Sequence, residues 1–219
     1  MSATVVATAP DPAAVSALRE AATWQLLARL FECPSSAWHD DLRALDRDLG
    51  DAGLHAVVDA ALTEASEGLY HSVFGPGGPA PPREVSYHDG LELGSVMSAV
   101  TGYYGAFAYR PETAEPPDHV AVEVGFMAWL RTKQAFALVA GDAERAELCA
   151  EAAEGFRADH LALVAERLSR VLDNAPASYL AMAGHVLRTR VGAPPGPRRL
   201  PVIQPFDDDG SEFSCEAGG

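Results

Sequence analysis

The sequence predicts an all-α fold of about seven or more helices, and three observations support that class. Apolar residues recur at three- and four-residue spacing through most of the chain. Proline and glycine interrupt these runs at positions typical of helix ends. No segment shows the alternation of apolar and polar residues that marks a β-strand. We therefore expect one helical domain over residues 1–192 and a Pro- and Gly-rich acidic tail over residues 193–219 that is extended or partly disordered.

Start and stop signals set the approximate helix bounds. Asp11-Pro12 begins the first helix, because proline fits the first helical turn, and Cys33-Pro34 ends it. Gly141 is suited to end one later helix, and Asp142 to cap the next. The helical segments are expected at about 12–33, 38–49, 53–70, 90–107, 117–139, 142–172 and 177–191.

A loop rich in proline and glycine separates the third and fourth predicted helices over residues 74–87. Phe74 and Tyr87 bracket it with aromatic side chains that can pin its ends to the core. A loop of this length in a compact domain is usually either functional or disordered. The bracketing aromatic residues favour a functional loop.

The most distinctive stretch covers residues 115–130, where a proline-stiffened turn enters a strongly apolar helix. Pro117 is expected in the first helical turn together with Asp118, whose carboxylate would complement the exposed N–H groups there. Glu123 is the single charged residue between positions 120 and 130, so this helix should be central and buried on most of its faces.

The charge balance excludes one class of function. The chain has 16 Lys and Arg residues against 31 Asp and Glu residues, a formal charge of -15 and a pI near 4.7. Nucleic-acid binding needs a basic surface, so no nucleic-acid partner is expected. An acidic surface favours a basic partner, although acidity also keeps a protein soluble without any partner.

The cysteine pattern and the N-terminus predict a cytoplasmic protein. Cys33, Cys149 and Cys215 are widely spaced and odd in number, which suits a reducing compartment. Residues 1–9 contain no Lys or Arg and no long apolar core, so they do not resemble a secretory signal. No apolar run approaches a membrane span, so no membrane insertion is expected.

One set of residues suggests a metal-dependent hydrolase as an alternative. His119 and Glu123 stand four residues apart on one helical face, and His160 could add a third ligand from the next helix. The spacing is not that of a zinc-binding H-E-x-x-H motif, and no Ser or Cys nucleophile has a recognisable context. Residues 75–78 also lack the features of a phosphate-binding loop. We therefore expect no enzyme activity, no metal and no cofactor.

Four ordered motifs resemble one protein family. Residues Glu115–His119 read E-P-P-D-H and are similar to the signature motif of the TorD/DmsD/NarJ-like redox-enzyme maturation chaperones. Tyr70–Pro76 resembles the family's aromatic-x-x-Leu-Phe-x-Gly-Pro segment, with Val73 in place of the usual leucine. Pro82–Tyr87 resembles the proline loop, and Phe156–Leu161 the F-x-x-x-H-L helix.

The resemblance implies an all-helical cytoplasmic chaperone for a molybdenum-containing oxidoreductase. Such proteins bind the twin-arginine signal peptide of the catalytic subunit, or its apoprotein, until the molybdopterin cofactor is inserted. The partner is thus the catalytic subunit and its signal peptide, and the chaperone itself is a monomer or a homodimer. A structural subunit that stays in the mature oxidoreductase complex is a further alternative.

The family places peptide binding near the proline loop and the E-P-P-D-H turn. A twin-arginine segment offers an Arg pair and an apolar helix, so its receptor needs carboxylates beside apolar side chains. The candidate peptide-binding residues are Tyr70, Phe74, Glu84, Tyr87, Glu115, Pro116, Asp118, His119 and Glu123.

Overall fold

The computed structural model describes residues 11–88 and 93–194. Within those residues it contains nine α-helices and no β-strand, so the prediction of an all-α fold is confirmed. The helices are α1 Pro12–Leu30, α2 Trp38–Leu49, α3 Ala52–Glu64, α4 Glu67–Phe74, α5 Leu93–Ala106, α6 Val120–Val139, α7 Ala143–Phe156, α8 Ala162–Leu172 and α9 Ser178–Val191. A 3-10 turn at Glu84–Tyr87 follows the proline-rich loop, and a π-helical turn at Arg157–Leu161 joins α7 to α8.

Helix α6 is the central helix, as its apolar sequence predicts. It packs against both α1 and α7, while α9 packs against α8 and α3. Eleven of its twenty residues are buried, a larger share than one apolar stripe of an amphipathic surface helix would bury. The helix ends where predicted, since Gly141 adopts a positive φ of 72° and Asp142 caps α7 by accepting the Arg145 N–H.

Close packing of α6 depends on one residue without a side chain. The Tyr109 hydroxyl donates to the Val122 carbonyl at 3.3 Å, across the surface of α6 at Gly125. A Cβ on Gly125 would lie 2.7 Å from that hydroxyl oxygen and 3.9 Å from the Cβ of Ala28 on α1. Glycine at this position therefore leaves the space that Tyr109 occupies.

Aromatic rings fill the core beside α6. Phe126 is fully buried, and its ring centroid lies 4.8 Å from those of Tyr104 and Phe156 and 5.3 Å from that of Tyr109. These distances are typical of tilted and edge-to-face aromatic pairs. Phe126 is thus part of the core.

The third predicted helix is two helices, so the prediction of one helix over 53–70 is wrong. The backbone of Ala65 is extended, and Ser66 caps α4 by accepting the Leu69 N–H at 3.2 Å. A serine that caps a new helix competes with continuation of the old one. The predicted segment 142–172 is likewise interrupted by the π-helical turn between α7 and α8.

The start of α6 also differs from the prediction. The helix begins at Val120, so Pro117 and Asp118 precede it and do not lie in its first turn. His119 is the N-cap residue, and its imidazole Nδ1 accepts the Ala121 N–H at 3.2 Å. The carboxylate of Asp118 is engaged elsewhere, and the neutral imidazole takes the capping role.

Some predictions fall partly outside the described residues. The fourth predicted helix starts at residue 90, which lies outside the described residues, and α5 is described from Leu93. The predicted tail, apart from residues 193–194, also lies outside them, and so does the proposed division into domain and tail. Among the described helices, none combines the length and the apolar character that crossing a membrane requires.

We expect Gly125→Ala to have a free energy of unfolding about 1–2 kcal/mol lower than its control, because the new methyl group must displace the Tyr109 hydroxyl. Gly102→Ala is the matched control, since Gly102 is an exposed residue of α5 with open space at its Cβ position. The control should be stabilised by about 0.5–1 kcal/mol through helix propensity. Urea unfolding at pH 7 measures both, and equal effects would contradict the packing role of Gly125.

Candidate functional site

The E-P-P-D-H turn is joined to the proline-rich loop by backbone hydrogen bonds. The Glu84 N–H donates to the Asp118 carbonyl, and the Val120 N–H donates to the Pro82 carbonyl, both at 2.8 Å. Together they form an isolated antiparallel bridge between Arg83 and His119. Two motifs that are distant in sequence therefore form one structural unit.

A buried ion pair holds this unit together. The Asp118 carboxylate is fully buried, and its Oδ1 lies 2.9 Å from Nε and 2.8 Å from Nη2 of Arg83. The Val85 N–H donates to Oδ2 at 3.4 Å. A buried carboxylate requires such partners, because an unpaired charge in an apolar interior is very costly.

His119 lies on the other side of the turn as a neutral imidazole. Burial, together with a smaller effect of the nearby Arg83 charge, lowers the pKa of His119 to about 4. Because Nδ1 accepts the Ala121 N–H, the ring proton lies on Nε2, which donates to the Tyr70 hydroxyl at 3.3 Å. The Glu115 carboxylate lies 3.9 Å from Nε2 and faces a neutral ring.

Glu84 is a second buried carboxylate, held by two histidines. Its Oε1 lies 2.7 Å from Nε2 of His88, and both carboxylate oxygens lie 3.1 Å from Nδ1 of His160. Burial by itself would raise the pKa of Glu84, but the hydrogen bonds and charge of the histidines outweigh it and hold this pKa below its usual value. Glu84 therefore stays ionised.

Glu123 differs from these acids because no donor among the described residues reaches either of its carboxyl oxygens. It is fully buried, and burial raises its pKa well above the usual 4.5. The charge of the Glu84 carboxylate raises this pKa further, and that of Asp118 has a smaller effect in the same direction. Glu123 thus retains its proton next to the ionised Glu84.

These side chains form what we call the buried polar cluster, defined as Glu84, Asp118, His119, Glu123 and His160. It links the loop, the turn, α6 and the π-helical turn. Each member is buried, and most have a partner within the protein. The cluster therefore rigidifies the turn and leaves little capacity for binding a ligand directly.

Seven of the nine candidate binding residues are buried. Tyr70 and Phe74 stack edge to face at 5.2 Å, and the Tyr87 hydroxyl donates to the Pro81 carbonyl at 2.7 Å. Glu84, Asp118, His119 and Glu123 belong to the buried polar cluster. Only Glu115 and Pro116 of the nine are half-buried and reach the surface.

The residues 11–88 and 93–194 contain no group of three His, Cys, Asp or Glu side chains placed to hold a metal ion. The three residues of the hydrolase alternative have other contacts. His119 caps α6, His160 pairs with Glu84, and Glu123 is fully buried with a raised pKa. No observation on these residues favours a hydrolase.

Three residues that pair with site residues were not predicted from the sequence. Arg83 pairs with Asp118, His88 pairs with Glu84, and the Arg167 guanidinium donates to the Tyr87 carbonyl at 2.6 Å. Arg83 left a signal, because it is the single Arg or Lys between Arg47 and Arg110. A lone cation inside an apolar, proline-rich loop is a candidate partner for a buried carboxylate.

An acidic rim borders the turn at the surface, which we define as Glu67 and Glu115. Their side chains are 76% and 37% exposed. Burial raises the pKa of the Cys33 thiol, and the charges of both carboxylates raise it further. His71 lies 3.7 Å from Glu67. The rim is the part of the site where negative charge is available to solvent.

We expect Glu123→Gln to change stability in a pH-dependent way. In the unfolded chain Glu123 ionises near pH 4.5, whereas in the folded protein it keeps its proton to higher pH. The wild type therefore loses stability as pH rises from 4.5 towards the folded-state pKa, and the glutamine variant does not. The free energy of unfolding of the variant minus that of the wild type should therefore be larger at pH 8 than at pH 5, by at least about 1 kcal/mol.

Urea unfolding at the two pH values is the measurement. Glu151→Gln, an exposed change on α7, is the control and should show a small difference that is the same at both pH values. A pH-independent effect of Glu123→Gln would show that Glu123 is ionised in the folded protein.

Comparison with known proteins identifies the family. Residues 32–169, more than half of the chain, match the family model described as nitrate reductase delta subunit. Among solved structures, the fold is similar to that of a protein from Archaeoglobus fulgidus described as a redox enzyme maturation protein. The TM-score is 0.55 and the identity 18%, with 78% of this chain and 93% of that chain covered. No curated protein matches the chain.

The structural likeness supports the fold, and the family model supports the assignment that the ordered motifs predict. The chain therefore belongs to the nitrate reductase delta subunit family, within the TorD/DmsD/NarJ-like redox-enzyme maturation proteins.

Proposed function

We propose that this protein is a non-enzymatic chaperone for a molybdenum-containing oxidoreductase. It binds the twin-arginine signal peptide or the apoprotein of the catalytic subunit until the molybdopterin cofactor is inserted. Family membership supports a general role in assembling a redox enzyme. The cytoplasm is the proposed compartment, because a signal peptide must be bound before export.

The observation that carries this proposal is the acidic rim on a rigid turn. Glu115 is half-exposed at the edge of a turn that the Asp118 and Arg83 ion pair and two backbone hydrogen bonds hold in place. A carboxylate held this way can accept a bidentate hydrogen bond from an arginine. Glu67 adds a second carboxylate nearby.

The buried candidate residues have a supporting role in this proposal. Glu115 and Pro116 are the proposed contacts with the peptide, together with Glu67. The other seven residues form the layer beneath them and keep the rim in one conformation, which lowers the entropic cost of binding. They are Tyr70, Phe74, Glu84, Tyr87, Asp118, His119 and Glu123.

We expect the double variant Glu67→Gln, Glu115→Gln to bind a basic signal peptide about three- to tenfold more weakly than the wild type at low salt, because exposed ion pairs contribute modestly. The probe is a synthetic fluorescent peptide with two consecutive arginines followed by about twelve apolar residues. Fluorescence anisotropy measures its affinity, and added salt should reduce the difference between the proteins.

The matched control is Glu144→Gln, Glu151→Gln, which removes the same net charge from exposed positions on α7. It should bind as the wild type does. A peptide with glutamines in place of the arginines should bind wild type and variant equally. Equal affinity of the rim variant and the wild type for the arginine peptide would overturn the site assignment.

A structural subunit of the mature oxidoreductase is the second candidate, because the matched family is described as a subunit. The two roles differ in when the protein leaves its partner. Purification of the active, cofactor-loaded oxidoreductase from cells that express both proteins separates them. Stoichiometric retention of this chain would favour the subunit, and its release the chaperone.

A further inference from the structure

A second surface feature lies at the other end of α6 from the acidic rim. Since α6 has twenty residues, its ends are about 30 Å apart. A groove of about 480 Å³ lies there between the C-terminal part of α6 and the N-terminal part of α7, with the end of α5 beside it. The lining residues are Ala106, Phe107, Lys133, Phe136, Ala137, Ala140, Arg145, Leu148 and Cys149.

Large apolar side chains are exposed along this groove. Phe136 is 69% exposed, Val139 one turn further along α6 is 70% exposed, and Leu148 on α7 is 55% exposed. Only two other large apolar side chains of the described residues have comparable exposure, and they lie on α1 and α5. A cluster of apolar surface at the edge of a cavity is typical of a binding surface.

The charged side chains that line the groove are basic, and one of them, Arg145, lies 3.4 Å from the Asp142 carboxylate. The described lining of the groove contains Lys133 and Arg145 and no carboxylate, although the chain carries a net charge of -15. Lys133 and Arg145 line the groove together with Cys149, and their charges act to lower the pKa of the Cys149 thiol, which burial raises. The groove therefore favours an occupant that is apolar and carries negative charge.

The chain contains a segment of that chemistry outside the described residues. Leu200–Phe206 reads L-P-V-I-Q-P-F, and Asp207–Asp209 follows it directly. Two prolines in seven residues exclude a regular helix and favour an extended segment, which suits a narrow groove. The order of apolar residues and then acidic residues matches the apolar lining and its two cations.

The distance to the groove is within reach of this segment. Helix α9 ends at Val191, whose carbonyl accepts a hydrogen bond from Arg157 at the C-terminal end of α7. The nine residues from Leu148 to Arg157 rise about 14 Å along the helix. The six residues 195–200 span up to about 20 Å when extended. Leu200 can therefore reach the groove from the end of the described chain.

We propose that the groove between α6 and α7 is the docking site of the chain's own segment Leu200–Asp209. The side chains of Val202, Ile203 and Phe206 cover the apolar lining, and Asp207–Asp209 pair with Lys133 and Arg145. This contact is separate from the acidic rim, so its presence or absence is independent of the proposed chaperone function.

Hydrogen–deuterium exchange of the full chain, followed by mass spectrometry, tests this contact. The amides of Val202, Ile203, Gln204 and Phe206 should exchange at least about tenfold more slowly than in an unstructured peptide of the same sequence. Phe136→Ser should remove this protection. Leu18→Ser, which changes an exposed apolar residue of α1, should leave it unchanged.

Exchanging the charges of the groove and the segment distinguishes loss of a specific contact from loss of folding. Lys133→Glu with Arg145→Glu should reduce the protection, and adding Asp207→Lys with Asp208→Lys should restore it. Unprotected amides in the wild type, or no rescue in the exchanged protein, would overturn the proposal. Protection that rises with protein concentration together with a dimer mass would assign the groove to a second copy and also overturn it.

Discussion

The ion pair between Asp118 and Arg83 is the interaction on which the arrangement of the site depends. A fully buried carboxylate requires a cation and hydrogen-bond donors, and the loop of residues 82–85 supplies both. Once Arg83 lies beside Asp118, the Glu84 and Val120 amides reach carbonyls of the opposite segment. The loop and the turn then form one unit at the N-terminal end of α6.

The same contacts explain how acidic side chains divide into two groups. Glu84 and Glu123 lie inside, where hydrogen bonds to His88 and His160 hold one carboxylate and a retained proton removes the charge of the other. Glu115 lies at the edge, where its charge is exposed to solvent. Negative charge in the interior thus stabilises the shape of the turn, and negative charge on the rim is available to a basic partner.

Helix α6 connects two surfaces of opposite character. Its N-terminal end carries the turn with the acidic rim, and its C-terminal end carries Phe136 beside Lys133 in an apolar groove. The helix is buried over most of its length, so the two surfaces are held at a constant separation. A basic segment of a partner fits the first surface, and an apolar, acidic segment fits the second.

Local signals in the sequence determined the helices. Local patterns identified α2, α9 and the C-terminal end of α6 nearly to the residue, and Gly141 with Asp142 marked the turn after α6, because periodicity and capping depend on neighbours within one or two turns. The tertiary structure alone decided which motif residues remain at the surface. Arg83 and Asp118 are 35 residues apart, and Glu84 and His160 are 76 apart. Local periodicity carries no information about such pairs, so the burial of Asp118, the protonation of Glu123 and the capping role of His119 follow only from how the helices pack.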